Sequence, residues 1–149
     1  MLRLWPAYVA TLVLAIVTTC VAPWLVTLLF GPAYAESSTV LALHIWTGIF
    51  VALGVCSGGW YLIEGAQKLA FYRTLVGCGV NVVLNFLLIP RFGAIGAAAA
   101  TLASQACAAY LFDALTDKTR PMFRMKSLAL ANAALSPWRL CVKVSQKRL

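Results

Sequence analysis

The sequence predicts an all-α membrane protein, four transmembrane helices followed by a basic cytoplasmic tail, and three observations predict it. Apolar residues fill 62% of the 149 positions and the mean hydropathy is +0.88, well beyond the share of about 45–50% carried by water-soluble domains. They fall into four runs, each close to the roughly 20 residues that a helix needs to cross the hydrocarbon core. Charged residues, 11% of the chain, gather mainly between those runs and beyond the last of them. A soluble domain of this length would spread charge over one surface to cover one core. These runs have to meet lipid instead.

The first run covers about 7–30 and contains Pro23. A proline there removes one backbone hydrogen bond and crowds the Thr19 carbonyl, which predicts a bent helix with Thr18 and Thr19 at hand for the freed groups. Arg3, the apolar stretch and Ala33-Tyr34-Ala35 imitate a secretory signal with its cleavage site, but the apolar part exceeds the usual core of about 7–15 residues. A retained helix is expected. Gly31-Pro32 ends it, and Glu36-Ser37-Ser38-Thr39 can cap a second helix over about 40–63. Gly54 and Gly58 within it form a G-x-x-x-G pair, a spacing that lets a neighbouring helix approach closely. His44, the single histidine, reads as an interfacial residue.

Glu64-Gly65-Ala66-Gln67-Lys68 forms the next turn, and a third helix is expected over about 69–89, stopping at Pro90. The fourth begins near Gly93 and runs to about 115. Gly96, Ala100, Ser104 and Ala108 recur every four residues, one small-residue face that should pack on a neighbour. The domain division is therefore a four-helix transmembrane region, 1–115, and a tail, 116–149, that is partly amphipathic. The tail's apolar patch from Leu128 to Leu135 and its basic run from Lys143 to Arg148 suit the inner membrane surface, where each basic residue gains about 1 kcal/mol from anionic lipid.

Orientation follows from the basic residues. Arg3, then Lys68 and Arg73, then the tail fall on one side, against Arg91 alone on the other, which predicts that both termini are cytoplasmic. The net charge of +8 has the same source, since eight of the twelve Lys and Arg residues lie beyond Leu115. That placement fits a membrane-facing tail better than a nucleic-acid groove with interleaved aromatics, so no nucleic acid is expected as partner. Five cysteines, Cys20, Cys56, Cys78, Cys107 and Cys141, show neither paired spacing nor a histidine cluster. They read as small packing residues, with no metal site and no disulfide framework.

The third helix carries the informative pattern. Arg73, Gly77, Asn81 and Asn85 recur at intervals of four and so stay on one slowly drifting face. Amides and a guanidinium have no partners among lipid tails, so this face should point to protein or to a watery cavity. Arg73, Asn81 and Asn85 are the candidates for lining a polar path; Gly54, Gly58, Gly77, Gly96, Ala100 and Ser104 are the candidates for close helix packing. The plainer reading is that the asparagines bond to adjacent helices, worth about 1 kcal/mol or less each, while Arg73 reaches for the membrane surface. Glu64, Lys68 and Arg91 sit at span ends, where charge costs little. Asp113 lies near the end of the fourth span, within reach of Lys118 or Arg120, and reads as local charge pairing. With one histidine and four carboxylates, no nucleophile, phosphate loop, zinc or cofactor motif can be placed, so the chain is not expected to be an enzyme.

Phe30-Gly31-Pro32-Ala33-Tyr34 after the first span resembles the "FG-x-x-Y" turn of the polysaccharide biosynthesis family, the O-antigen and lipid-linked oligosaccharide flippases. The passage from Asn81 through Asn85-Phe86-Leu87-Leu88-Ile89-Pro90-Arg91-Phe92-Gly93-Ala94-Ile95-Gly96-Ala97-Ala98 resembles that family's "N-x-x-x-N-x-x-LIP-x-x-G-x-x-GAA". The resemblance covers roughly 5–126 and matches the family's C-terminal part. It implies the multidrug, oligosaccharidyl-lipid and polysaccharide exporter superfamily, and hence part of the C-terminal lobe of a MATE-like transporter. Such a protein carries an undecaprenyl-diphosphate-linked oligosaccharide across the bacterial inner membrane by alternating access, with cavity cations facing the diphosphate. Four spans replace the usual twelve or so. The expectation is a fragment of a larger flippase, or a piece that needs the missing lobe or a partner subunit, because alternating access takes two bodies that rock against each other.

Two other functions fit the same spans. A small dimeric multidrug exporter needs an intramembrane carboxylate to exchange protons for cationic drugs, and Glu64 stands at a span end while the first span has none. A non-transporting scaffold subunit would use its small-residue faces for packing alone.

Overall fold

The computed structural model describes residues 5–128 and 130–131, all-helical with no strand among them. Helix α1 is Trp5–Phe30, and it runs unbroken through Pro23. Thr19 does not serve the carbonyl that the proline frees. Its hydroxyl donates to the Ala15 carbonyl at 2.7 Å and accepts the Trp46 indole N–H at 3.2 Å, tying α1 to the next helical stretch. Gly31 ends α1 with a φ of 85°, a conformation that side chains disfavour. A single 3-10 turn, Pro32–Tyr34, follows.

The second apolar run folds as α2, Ser37–Ile45, and α3, Thr47–Ile63, interrupted only at Trp46, whose backbone angles remain helical. It starts a few residues before the expected position, and no side chain caps it at Glu36. The preceding turn does that work: the Ser38 and Thr39 amides donate to the Ala35 and Glu36 carbonyls, each at 3.1 Å.

Helical backbone then continues over Gln67–Ala106, which we call α4, with one non-helical residue, Gly93, at φ 55° and ψ −132°. Three contacts show that α4 is a hairpin. Asn81 Nδ2 donates to Ser104 Oγ at 3.1 Å; a Cβ built on Gly77 would lie 2.7 Å from Ala108 Cβ; one built on Gly96 would lie 2.5 Å from the Leu88 carbonyl oxygen. In a straight helix Asn81 and Ser104 would be about 35 Å apart. The reversal falls at Gly93, and the helix passes through Pro90, where the sequence had predicted its end. Only glycine takes those angles without strain. Gly93→Ala is accordingly expected to destabilise the fold by about 1–2 kcal/mol, measurable as a lower midpoint of thermal unfolding followed by tryptophan fluorescence in detergent micelles.

Three helical stretches, Tyr8–Phe30, Ser37–Ile63 and Gln67–Leu115, are long and apolar enough to cross a membrane, and the 49-residue third one folds back on itself. Four antiparallel segments result. Their packing is inside out relative to a soluble protein. Trp24, Val55, Ile63, Phe86 and Leu115 are each at least 65% exposed, whereas Ser57, Ser104, Asp113, Thr119 and Lys126 are buried. Apolar surface on that scale has no place in water, and polar groups turned inward are what hydrocarbon requires. The apolar core is small, with Tyr8, Leu53 and Ala109 at its centre and Phe50 and Tyr110 against it.

Past Ala106 the backbone widens into a π-helical turn, Cys107–Leu111, and closes with α5, Phe112–Leu115. A turn over 116–119 leads into a further helix, α6, over 120–128. Here the structure differs from a tail lying on the membrane surface. α6 folds back against the π turn: Met122 and Lys126 are buried, the Phe123 and Tyr110 rings sit 4.9 Å apart, and the Ser127 and Tyr110 hydroxyls are 2.9 Å apart. An apolar face on Met122 and Phe123 is covered by doing so, which hydropathy averaged along the strand of charges had hidden. The amphipathic patch beyond Ala131, the basic run Lys143 to Arg148 and Cys141 lie outside the described residues.

Candidate functional site

The face Arg73-Gly77-Asn81 turns toward neighbouring helices. It borders an open cavity of about 540 Å³ between α3 and the α4 hairpin, closed from the other sides by Gly54, Val55, Ser104 and Ala108. Each polar side chain on it is held. Arg73 Nη1 donates to Ser57 Oγ at 2.9 Å, and the guanidinium carbon lies 5.1 Å from the centre of the Tyr61 ring. Arg73 therefore turns onto α3, toward Ser57 and Tyr61. Among the described residues no carboxylate pairs with it. Ser57 itself is buried, its hydroxyl 2.9 Å from the Leu53 and Gly54 carbonyls.

Asn81 bridges the hairpin to Ser104, whose hydroxyl donates in turn to the Thr101 carbonyl at 2.9 Å. Asn85 does not line the cavity. Its Nδ2 donates to Asn81 Oδ1 at 2.9 Å and its own Oδ1 is buried without a partner. The third candidate thus orients the second and leaves one acceptor unused, a cost that native structures seldom carry without reason.

The packing candidates divide. Gly77 and Gly96 touch the opposite arm of the hairpin, and Ala100 and Ser104 are buried on it. A Cβ on Gly54 would come 3.7 Å from Ala109 Cβ and 3.8 Å from an Arg73 nitrogen, so this glycine makes room for both. Gly58 is different: nothing lies within 4 Å of where its Cβ would be, and the G-x-x-x-G spacing brings only its first glycine to a helix.

A second polar cluster lies beside the first, and sequence reasoning missed it. Asp113 is fully buried; it takes a hydrogen bond from the Tyr61 hydroxyl on one carboxylate oxygen and from Lys126 Nζ at 2.5 Å on the other. Lys126 also donates to the Ala109 carbonyl at 2.7 Å. The expected partners do not appear: Arg120 pairs at the surface with Asp117, 2.9 Å away. The reason is the π turn and the chain reversal at 116–119, which put the lysine of α6, and not the nearer residues, beside Asp113. Thr119 secures the reversal, its hydroxyl donating to the Asp113 carbonyl at 3.0 Å. Asp113 is the one acidic residue inside a predicted span, and that singularity was the available signal.

Comparison with known proteins adds one finding. Over 81 residues the chain is 29% identical to the capsular polysaccharide biosynthesis protein CapF of Staphylococcus aureus, a stretch that covers 54% of this chain and 20% of that protein. This is a partial likeness to a protein of polysaccharide biosynthesis, and the chain spans about a fifth of its length. No family model matches the chain. No solved structure matches it.

Proposed function

We propose that this chain is part of the transmembrane body of a flippase, a segment of a MATE-like lobe that helps move a polyprenyl-diphosphate-linked oligosaccharide across the bacterial inner membrane without covalent chemistry. The observation that carries the reading is the cavity: a guanidinium with no carboxylate paired to it among the described residues, and an amide, border a space of about 540 Å³ inside helices whose outer surface is apolar. A cation that no carboxylate touches in such a place can take up an anionic group, and a diphosphate is one whose geometry suits a planar guanidinium. The likeness to a capsular polysaccharide biosynthesis protein supports the substrate class. The balance of Lys and Arg supports cytoplasmic termini. The rest of the transporter, a second lobe or a partner subunit, completes the path in this reading.

The test is transfer of a lipid-linked sugar in cells, with the chain expressed together with its genomic neighbours at matched levels. Arg73→Gln removes a charge-assisted hydrogen bond of about 2 kcal/mol, so transport is expected to fall by about tenfold or more. The double substitution of Asn81 and Asn85 by alanine is expected to lower it as well, while helix content is kept. Unchanged transport in both variants would remove the path from the cavity. A scaffold subunit would move no sugar in any combination.

A further inference from the structure

We propose that Tyr61, Asp113 and Lys126 form a buried proton-binding site, in which the Lys126 amine takes up and releases the proton and its charge state decides whether α6 stays seated against the helix bundle.

The argument starts from charge balance. Three charge-bearing groups, Lys126, Asp113 and Arg73, meet around Tyr61, since Lys126 bonds Asp113, Tyr61 bonds Asp113, and Arg73 lies over the Tyr61 ring. Two are basic and one is acidic. With Lys126 protonated the cluster carries one excess positive charge in an apolar interior; with Lys126 neutral, Arg73 and Asp113 balance. An arginine side chain keeps its proton inside proteins, so the lysine is the group that adjusts. Burial, the largest cause, holds Lys126 below its ordinary range, the contact with Asp113 opposes it, Arg73 pushes with burial, and Cys56 pushes weakly with Asp113.

Side chains and one carbonyl from the neighbouring elements face the amine. α3 supplies Tyr61 and Cys56, the first arm of α4 supplies Arg73, the π turn supplies the Ala109 carbonyl, and α5 supplies Asp113. Asp117 and Arg120 are exposed and satisfy each other. π-helical turns re-aim backbone carbonyls and occur often at functional sites; this one presents Ala109 to the lysine.

The coupling to α6 follows from where the proton sits. Released from the bundle, α6 carries Lys126 into a setting where it titrates normally; seated, the same amine binds a proton less readily. The seated state therefore holds fewer protons between the lowered value and the ordinary 10.5, and within that window a rise in pH favours seating while a fall favours release. Below the lowered value no further dependence from this group remains.

The test uses the full chain in lipid nanodiscs, labelled with 15N at the lysine side chains, with the Nζ resonances followed through a pH titration. One lysine resonance, identified by its absence in Lys126→Arg, is expected to titrate below the other lysines, and to move lower still in Asp113→Asn. Amide hydrogen exchange at two pH values on either side of that midpoint should show residues 120–128 protected at the higher and exposed at the lower. Lys126→Met, which has no proton to lose, should show equal protection at both. Co-titration of Lys126 with the other lysines would overturn the proposal, and so would protection of α6 that is indifferent to pH in the wild-type chain. The wild-type exchange measurement stands even where a variant fails to fold.

Discussion

Asp113→Leu is expected to lower the stability of the folded chain by about 3–5 kcal/mol, the usual cost of leaving one partner of a buried ion pair uncompensated. Both oxygens of this carboxylate are committed, one to the Tyr61 hydroxyl and one to Lys126, so its removal strands two buried donors from different helices. The double substitution Asp113→Leu with Lys126→Met should recover most of the loss, since an apolar pair of similar volume replaces charges that gain little from lipid-facing helices. The coupling between the two positions is the readout. It is obtained by unfolding wild type, both single variants and the double variant in the same detergent and comparing midpoints. Equal loss in the single and double variants would mean that shape, and not the ion pair, holds α6. The loss in Asp113→Leu should also shrink as pH rises, because without the carboxylate the Lys126 amine is held lower still and sheds its proton sooner.

What the sequence made legible was one-dimensional. Four apolar runs, the glycine turn at Gly31 and a break between the third and fourth runs all leave marks within a few residues, although turn chemistry ended the third helix at Pro90 and the structure carries it to Gly93. The polar spacing of Arg73, Gly77 and Asn81 is equally local, and the structure puts that face on a cavity. Asn85, four residues further, has already drifted off it, as a period of 3.6 requires of positions four apart. What stayed hidden depends on contacts between distant segments. Tyr61 and Asp113 are 52 positions apart, and no periodicity relates them. Lys126 looked like one of a tail's many cations because a single π turn and a four-residue reversal, neither with a sequence signature, decide that it points back into the bundle. Gly58 shows the converse error: its spacing from Gly54 is that of a packing motif, yet its face is open.

The two arms of the α4 hairpin meet so closely that Gly96 and Gly79 should respond to the same substitution with opposite signs. A Cβ at Gly96 would lie 2.5 Å from the Leu88 carbonyl oxygen, 2.7 Å from its carbon and 3.2 Å from the Ile89 nitrogen. These are backbone atoms and cannot rotate away, so the arms must separate, and the Asn81 to Ser104 bond and the Gly77 to Ala108 contact lie on the interface that opens. Overpacking of this kind costs about 1–3 kcal/mol; Gly96→Ala should fall within that range and Gly96→Val at or above its upper end, about 3 kcal/mol. Gly79 is on the same helix with nothing within 4 Å of its would-be Cβ. There alanine only restricts the unfolded chain and improves helix propensity, which should raise stability by up to about 1 kcal/mol. Thermal midpoints of the three variants in one detergent decide the matter. A Gly96→Ala protein as stable as Gly79→Ala would mean that the arms do not touch, and with that the cavity bordered by Arg73 and Asn81 would lose the wall that Ser104 and Ala108 provide.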